Sequence, residues 1–115
     1  MNIESTVGDD GICRISIGDE KIVGGRQSAR MKDIVRNTLN GQDRLFMINM
    51  VDVEWLTPSG IGIFISMLKT IREAGGRLAL YAVHDKVTSL LTVTKLITVF
   101  DLFVTEVEAK AFLLE

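Results

Sequence analysis

Few side chains in this sequence are of a type and spacing that could do chemistry. There is one histidine, His84, and one cysteine, Cys13. A nucleophile needs a base within hydrogen-bond reach. Cys13 lies far from His84 in sequence, inside an alternating apolar run, so the pair reads as a packed thiol and a loop imidazole. One cysteine also excludes an internal disulfide and a cysteine metal cluster. The carboxylates are scattered. Asp9-Asp10 fall in a glycine-flanked turn, Asp19-Glu20 in a loop, and Glu106 and Glu108 at a helix start. Each reads as solvated or capping rather than as half of an acid–base pair. No G-x-x-x-x-G-K run is present, and Gly60-Ile61-Gly62 has no third spaced glycine to cradle a phosphate. Arg26, Arg30 and Arg36 share one helical stretch; a wet face balanced by acids fits them, with a phosphate patch as the other reading. We therefore expect no catalytic residue, no cofactor and no metal, and a protein that is not an enzyme.

One hydroxyl stands apart. In Thr57-Pro58-Ser59-Gly60, Thr57 suits an N-cap and Pro58 the first helical position, where its missing N–H costs nothing. Ser59 then falls in the first turn, among backbone N–H groups that lack intrahelical partners and carry the positive end of the helix dipole. A phosphoryl group there would bring a charge of about −1.5 to −2 to a terminus suited to hold it. Thr57 is the alternative acceptor.

The elements that must position this turn follow from periodicity. Ile3, Ser5 and Val7 alternate with polar neighbours, as do Cys13, Ile15 and Ile17; Gly8-Asp9-Asp10-Gly11 between them predicts a hairpin. Lys21-Ile22-Val23 suggests a short third extended piece. From about Arg26 to Asn40, Met31, Ile34, Val35 and Leu39 share a helical face, and Asn40-Gly41 is a stop. Leu45 to Ile48, running on toward Val51, and Leu78 to Val83 are apolar on both faces, which suits the middle of a covered sheet. A helix spans about Pro58 to Ala74, ended by Gly75-Gly76. Another begins near Asp85, with Val87, Leu90 and Leu91 inward. Phe100, Leu102 and Val104 suggest a last strand. Thr105-Glu106-Val107-Glu108 is a capping-box pattern, opening a helix in which Val107, Ala111 and Leu114 share a side. Strands alternating with helices imply right-handed crossovers. The expected class is α/β: a mixed sheet, antiparallel in its first hairpin and then mainly parallel, flanked by about four helices.

The helix after Ser59 is apolar on more than one side. Ile61, Ile65, Leu68 and Ile71, with Phe64 beside them, form a stripe for the sheet. Ile63 and Met67 lie off it, on the side of Ser59, Ser66 and Thr70. Either another helix covers that second patch or a partner protein does.

The chain has 115 residues, the length of one domain, here 1–115. It is 47% hydrophobic and 24% charged, which suits an ordinary globular protein, and its net charge of −2 argues against nonspecific nucleic-acid binding. No apolar run approaches the roughly 18 residues of a membrane span, so no membrane insertion is expected. The start, Met1-Asn2-Ile3-Glu4, shows no secretion signal, and a cytoplasmic location is the expectation. The first strand, an open edge, could pair two copies as a homodimer.

Two segments carry a resemblance. The run Asn49 to Gly62, followed by Ile71-Arg72-Glu73-Ala74-Gly75-Gly76-Arg77-Leu78-Ala79-Leu80, resembles the STAS domain family, and within it the bacterial anti-sigma-factor antagonists. The likeness extends to Val87–Leu91, Phe100 and Glu108-Ala109. Family members carry an Asp-Ser-Ser-Gly turn whose second serine is phosphorylated by a partner kinase; carried over, that serine is Ser59 and the glycine Gly60. Other positions depart. Asn49 stands where the family usually has Asp, Val51 where it has Ser, Thr57 for the turn Asp and Pro58 for the first Ser. The resemblance implies a binding protein. Unphosphorylated, it would sequester an anti-sigma factor that is also a serine kinase; phosphorylation of Ser59 would release it, and an opposing phosphatase would reset it. The implied contact set is Thr57, Ser59, Gly60, Gly62, Ile63, Ser66 and Met67. The alternative is a constitutive STAS scaffold in a signalling or transporter complex, never phosphorylated.

Overall fold

Alternating side chains pair the first two strands, and a computed structural model describes residues 2–115. Strand β1 (Ile3–Val7) runs antiparallel to β2 (Ile12–Ile17), with Ile3 opposite Ile17 and Val7 opposite Cys13. Short β3 (Lys21–Ile22) follows, then α1 (Arg26–Asn40), β4 (Leu45–Asn49), β5 (Trp55–Leu56) and α2 (Pro58–Glu73). The chain continues through β6 (Arg77–Tyr81), α3 (Asp85–Val93), β7 (Asp101–Phe103) and α4 (Glu106–Leu113). The main sheet has the order β1-β2-β4-β6-β7, and every pairing after the first is parallel. This is the mixed α/β sheet with four helices that the periodicity implies. β3 and β5 form a separate two-stranded parallel sheet.

Both faces of the sheet are apolar, because β4 and β6 carry hydrophobic residues at consecutive positions. One face presents Cys13, Ile15, Phe46, Ile48, Leu78 and Leu80 to a core shared with α1, α2 and α3. The other is a smaller cluster in which Ile12, Met47 and Ala79 lie under Ala109 and Leu113 of α4.

Two expected faces are corrected here. In α2, Phe64 rather than Ile65 completes the inward stripe; Phe64 is 2% exposed and Ile65 is 41% exposed. The helical turn of about 100° per residue puts both near the seam, and the larger ring takes the interior. In α4, Val107 is 77% exposed and Leu114 50% exposed, and Ala111 is also exposed. The capping box fixes the helix start at Thr105, and that phase turns Ala109 and Leu113, four apart, toward the sheet. Val104, expected on the last strand, lies just past β7 and is exposed.

The first hairpin is tied to α4 by charge. Asp10 accepts from Arg14 at 2.8 and 3.0 Å and from the Ile12 amide at 3.1 Å, and Lys110 stands 3.3 Å away. Hydrogen bonds from Arg14, then from the Ile12 amide and from Lys110, hold the Asp10 carboxyl well below the usual carboxylate range. A depressed folded value means a stabilising contribution that is fully present above about pH 4, the ordinary carboxylate value, and lost as pH falls toward the folded value. Asp10→Asn should therefore lower the urea midpoint at pH 7, and the gap to the wild type should narrow below about pH 4.

Candidate functional site

The start of α2 is built on the β3–β5 pair. The Ile22 carbonyl accepts from the Thr57 amide at 3.0 Å and from Thr57 Oγ1 at 3.2 Å. Thr57 Oγ1 in turn accepts from the Gly60 amide at 3.1 Å, the geometry of an N-cap, and Pro58 occupies the first helical position. So the Thr57 hydroxyl both donates and accepts, and Thr57 is half-buried. Gly60 is buried against β3, where an added Cβ would overlap the Ile22 carbonyl oxygen.

Ser59 projects from this turn and is exposed. Beside it runs the Gly24-Gly25 loop, with φ of 116° and 58°, a backbone conformation open to glycine. A Cβ added at Gly24 would lie 3.5 Å from the Ser59 Cβ, in van der Waals contact with it. Gln27 holds the loop in place. Its Oε1 accepts from the Val23 and Gly24 amides at 2.7 and 3.2 Å, while its Nε2 donates to the Lys21 carbonyl at 2.8 Å and to Asp19 at 3.1 Å. Gln27 and Gly24 escape sequence reasoning; Gly24-Gly25 looks there like simple punctuation.

From Ser59 the exposed face of α2 continues through Gly62, Ser66 and Thr70. An added Cβ at Gly62 would meet nothing within 4 Å. The contact set implied by the resemblance is corrected at two residues. Ile63 is 7% exposed and Met67 3% exposed, both in the main core. They lie on the side of α2 that meets α1, where Met31 and Val35 share a pocket with them. Another helix, not an outside partner, covers them, and aspartate at either position would test packing rather than docking. Thr57, Ser59 and Gly60 come together at the helix start, whereas Gly62 and Ser66 extend the exposed face.

Of the departures near β4, Asn49 has a structural role. Asn49 Oδ1 accepts from the Val51 amide at 3.0 Å, closing the turn as a carboxylate would, and Val51 is half exposed. His84 Nε2 lies 2.5 Å from the Val51 carbonyl. Cys13 is buried, receives a hydrogen bond from Thr38 Oγ1 at 3.5 Å, and burial pushes its thiol up, away from the reactive thiolate. Arg36 pairs with Asp33, and Arg30 donates to the Ile3 carbonyl at 3.2 Å. Among the described residues no group of three or more His, Cys, Asp or Glu is placed to hold a metal.

Comparison with known proteins places this geometry in context. The family model of the STAS domain matches residues 5–109. A curated protein of Thermotoga maritima, provisionally named an anti-sigma factor antagonist, is 30% identical over 69 residues; the match covers 60% of this chain and 60% of that protein's length. A solved anti-sigma-factor antagonist (STAS) domain protein from Planctomyces limnophilus is 20% identical, with full coverage of both chains and a TM-score of 0.80. The Bacillus cell fate determinant SpoIIAA, solved in its phosphorylated form, is 12% identical over 95% of this chain and 96% of its own, with a TM-score of 0.70. At these identities the likeness to the two solved structures is one of fold.

Proposed function

The chain belongs to the STAS domain family, and we propose that it acts as an anti-sigma-factor antagonist, a binding module switched at Ser59. Unphosphorylated, it docks an anti-sigma factor that is also a serine kinase and so frees the sigma factor. ATP binds that partner. Phosphorylation of Ser59 breaks the complex, and a phosphatase restores it. The module works by binding rather than catalysis, in the cytoplasm; among the described residues no helix is long and apolar enough to cross a membrane.

One observation carries this reading. Ser59 is exposed in the first turn of α2, while Thr57 does the capping that would otherwise occupy a hydroxyl there. The curated relative's provisional name and the phosphorylated SpoIIAA structure support the same assignment. Since Ile63 and Met67 are covered, the docking surface is redrawn around Ser59, Gly62 and Ser66. Apolar Val23, 52% exposed, Trp55, 44%, and Ile65, 41%, stand on the adjoining β3 end, β5 and α2. The direct test is incubation with the cognate kinase and ATP. One phosphate should be gained, and Ser59→Ala should abolish it. No gain at Ser59 or Thr57 would leave the constitutive scaffold, the reading favoured by Thr57 in place of the usual acid.

Gly62 supplies a second test. Glycine within a helix costs roughly 0.5–1 kcal/mol relative to alanine, and nothing in the fold occupies the space beside it. Close approach of a partner backbone would account for it. Gly62→Ala should therefore raise unfolding stability by about 0.5–1 kcal/mol while weakening partner binding, a pair of opposite signs read by urea denaturation and calorimetric titration. Unchanged binding would remove Gly62 from the docking surface.

A further inference from the structure

We propose that the groove between α1 and α2 binds a linear amphipathic monoanion, a free medium-chain carboxylate. Met31 and Val35 of α1 and Ile63 and Met67 of α2 help line a pocket of about 350 Å³. That volume lies within the range of small-molecule sites, about 300–1,000 Å³, which are mostly apolar with a few convergent polar groups. These four residues are buried, so they form a floor rather than a rim. Lys32 and Arg36 line the α1 wall, serine and threonine hydroxyls line the α2 wall, and no carboxylate lines the pocket.

Charge then selects the occupant. Arg36 is paired with Asp33 at 2.5 Å, whereas Lys32 makes no ion pair among the described residues. An apolar floor beneath an uncompensated ammonium suits a hydrocarbon tail ending in an anion. At about 30 Å³ per water-sized group, the pocket holds a chain of about twelve such groups, the carbon and oxygen count of a ten-carbon carboxylate. A cationic amphiphile would meet Lys32 and Arg36 unfavourably. This site rests on the pocket alone and not on the phosphorylation of Ser59.

The test uses the full chain, labelled with nitrogen-15 and titrated with decanoate below its micelle concentration at neutral pH. Amide shifts should concentrate in Met31–Leu39 of α1 and Ile63–Thr70 of α2. Each buried methylene is worth about 0.8 kcal/mol, so octanoate should bind about tenfold more weakly. Decyltrimethylammonium and 1-decanol should bind at least about fivefold more weakly than decanoate, as should decanoate to the Lys32→Glu, Arg36→Glu double variant. Both substituted residues are exposed. A Ser66→Trp variant, filling the groove, should abolish the shifts. If it does not fold, charge reversal decides alone. Absence of localised shifts up to millimolar decanoate, equal affinity for the cationic probe, or undiminished binding by the charge-reversed variant would overturn the assignment.

Discussion

Phosphorylation of Ser59 is expected to weaken binding of the anti-sigma partner by at least about a hundredfold. The magnitude follows from what docking does to the phosphate. An uncompensated charge buried at an interface costs about 3–5 kcal/mol, and each 1.4 kcal/mol is a factor of ten. Ser59 stands exposed beside Gly24 at the start of α2, and no ion pair among the described residues brings a cation to that turn. In the free protein the same phosphate should be tolerated, because it would face water at the positive end of α2. Binding and stability should therefore part company. The phosphorylated chain should melt at or slightly above the temperature of the unmodified one, yet lose the complex in calorimetric titration against the cognate anti-sigma factor. Ser59→Ala should bind and resist release by ATP, and Ser59→Glu, with one charge fewer, should fall between. A phosphorylated chain that binds within threefold of the unmodified one would end the switch reading.

The parts of this molecule legible in its sequence are those with long periodic signals. Helix α1 spans Arg26–Asn40, as its spacing and Asn40-Gly41 stop imply, and the capping box at Thr105 forms with both of its hydrogen bonds. Strands β4 and β6, apolar at consecutive positions, do sit in the middle of the sheet. The illegible parts are short or two-sided. β5 is two residues long, too brief for alternation to show, yet it pairs with β3 to carry the Ser59 turn. In α4, apolar residues occupy both sides, so composition cannot choose between Val107, Ala111 and Leu114 and the pair actually buried, Ala109 and Leu113. For α2, a second apolar face is evident in the sequence, but which body covers it depends on where α1 crosses, and that is a tertiary fact. The place of Ser59 in the first turn of α2, behind a Thr-Pro cap, is legible in the sequence. Its accessibility depends on Gly24 and on the Gln27 bonds that hold that loop, contacts between segments remote in sequence.

The same logic gives opposite results at two glycines two residues apart. Gly60→Ala should destabilise the fold by about 3 kcal/mol or more, where an ordinary helical Gly→Ala would stabilise it. The added Cβ would overlap the Ile22 carbonyl oxygen. That oxygen cannot simply retreat, because it accepts from both the Thr57 amide and the Thr57 hydroxyl. Relief requires β3 to separate from the start of α2, which strains the packing and breaks the bonds that hold the cap. Overpacking costs about 1–3 kcal/mol and a lost cap about 1 kcal/mol. For a domain of this size the melting temperature should fall by about 10 °C or more. Because the displaced segment carries Ser59, the variant should also be a poor kinase substrate under conditions where it remains folded. Urea midpoints for Gly60→Ala and Gly62→Ala, measured side by side, should therefore move in opposite directions from the wild type. If Gly60→Ala unfolds at the wild-type midpoint, the seam between β3 and α2 is looser than described, and the Ser59 turn is not held where its proposed role requires.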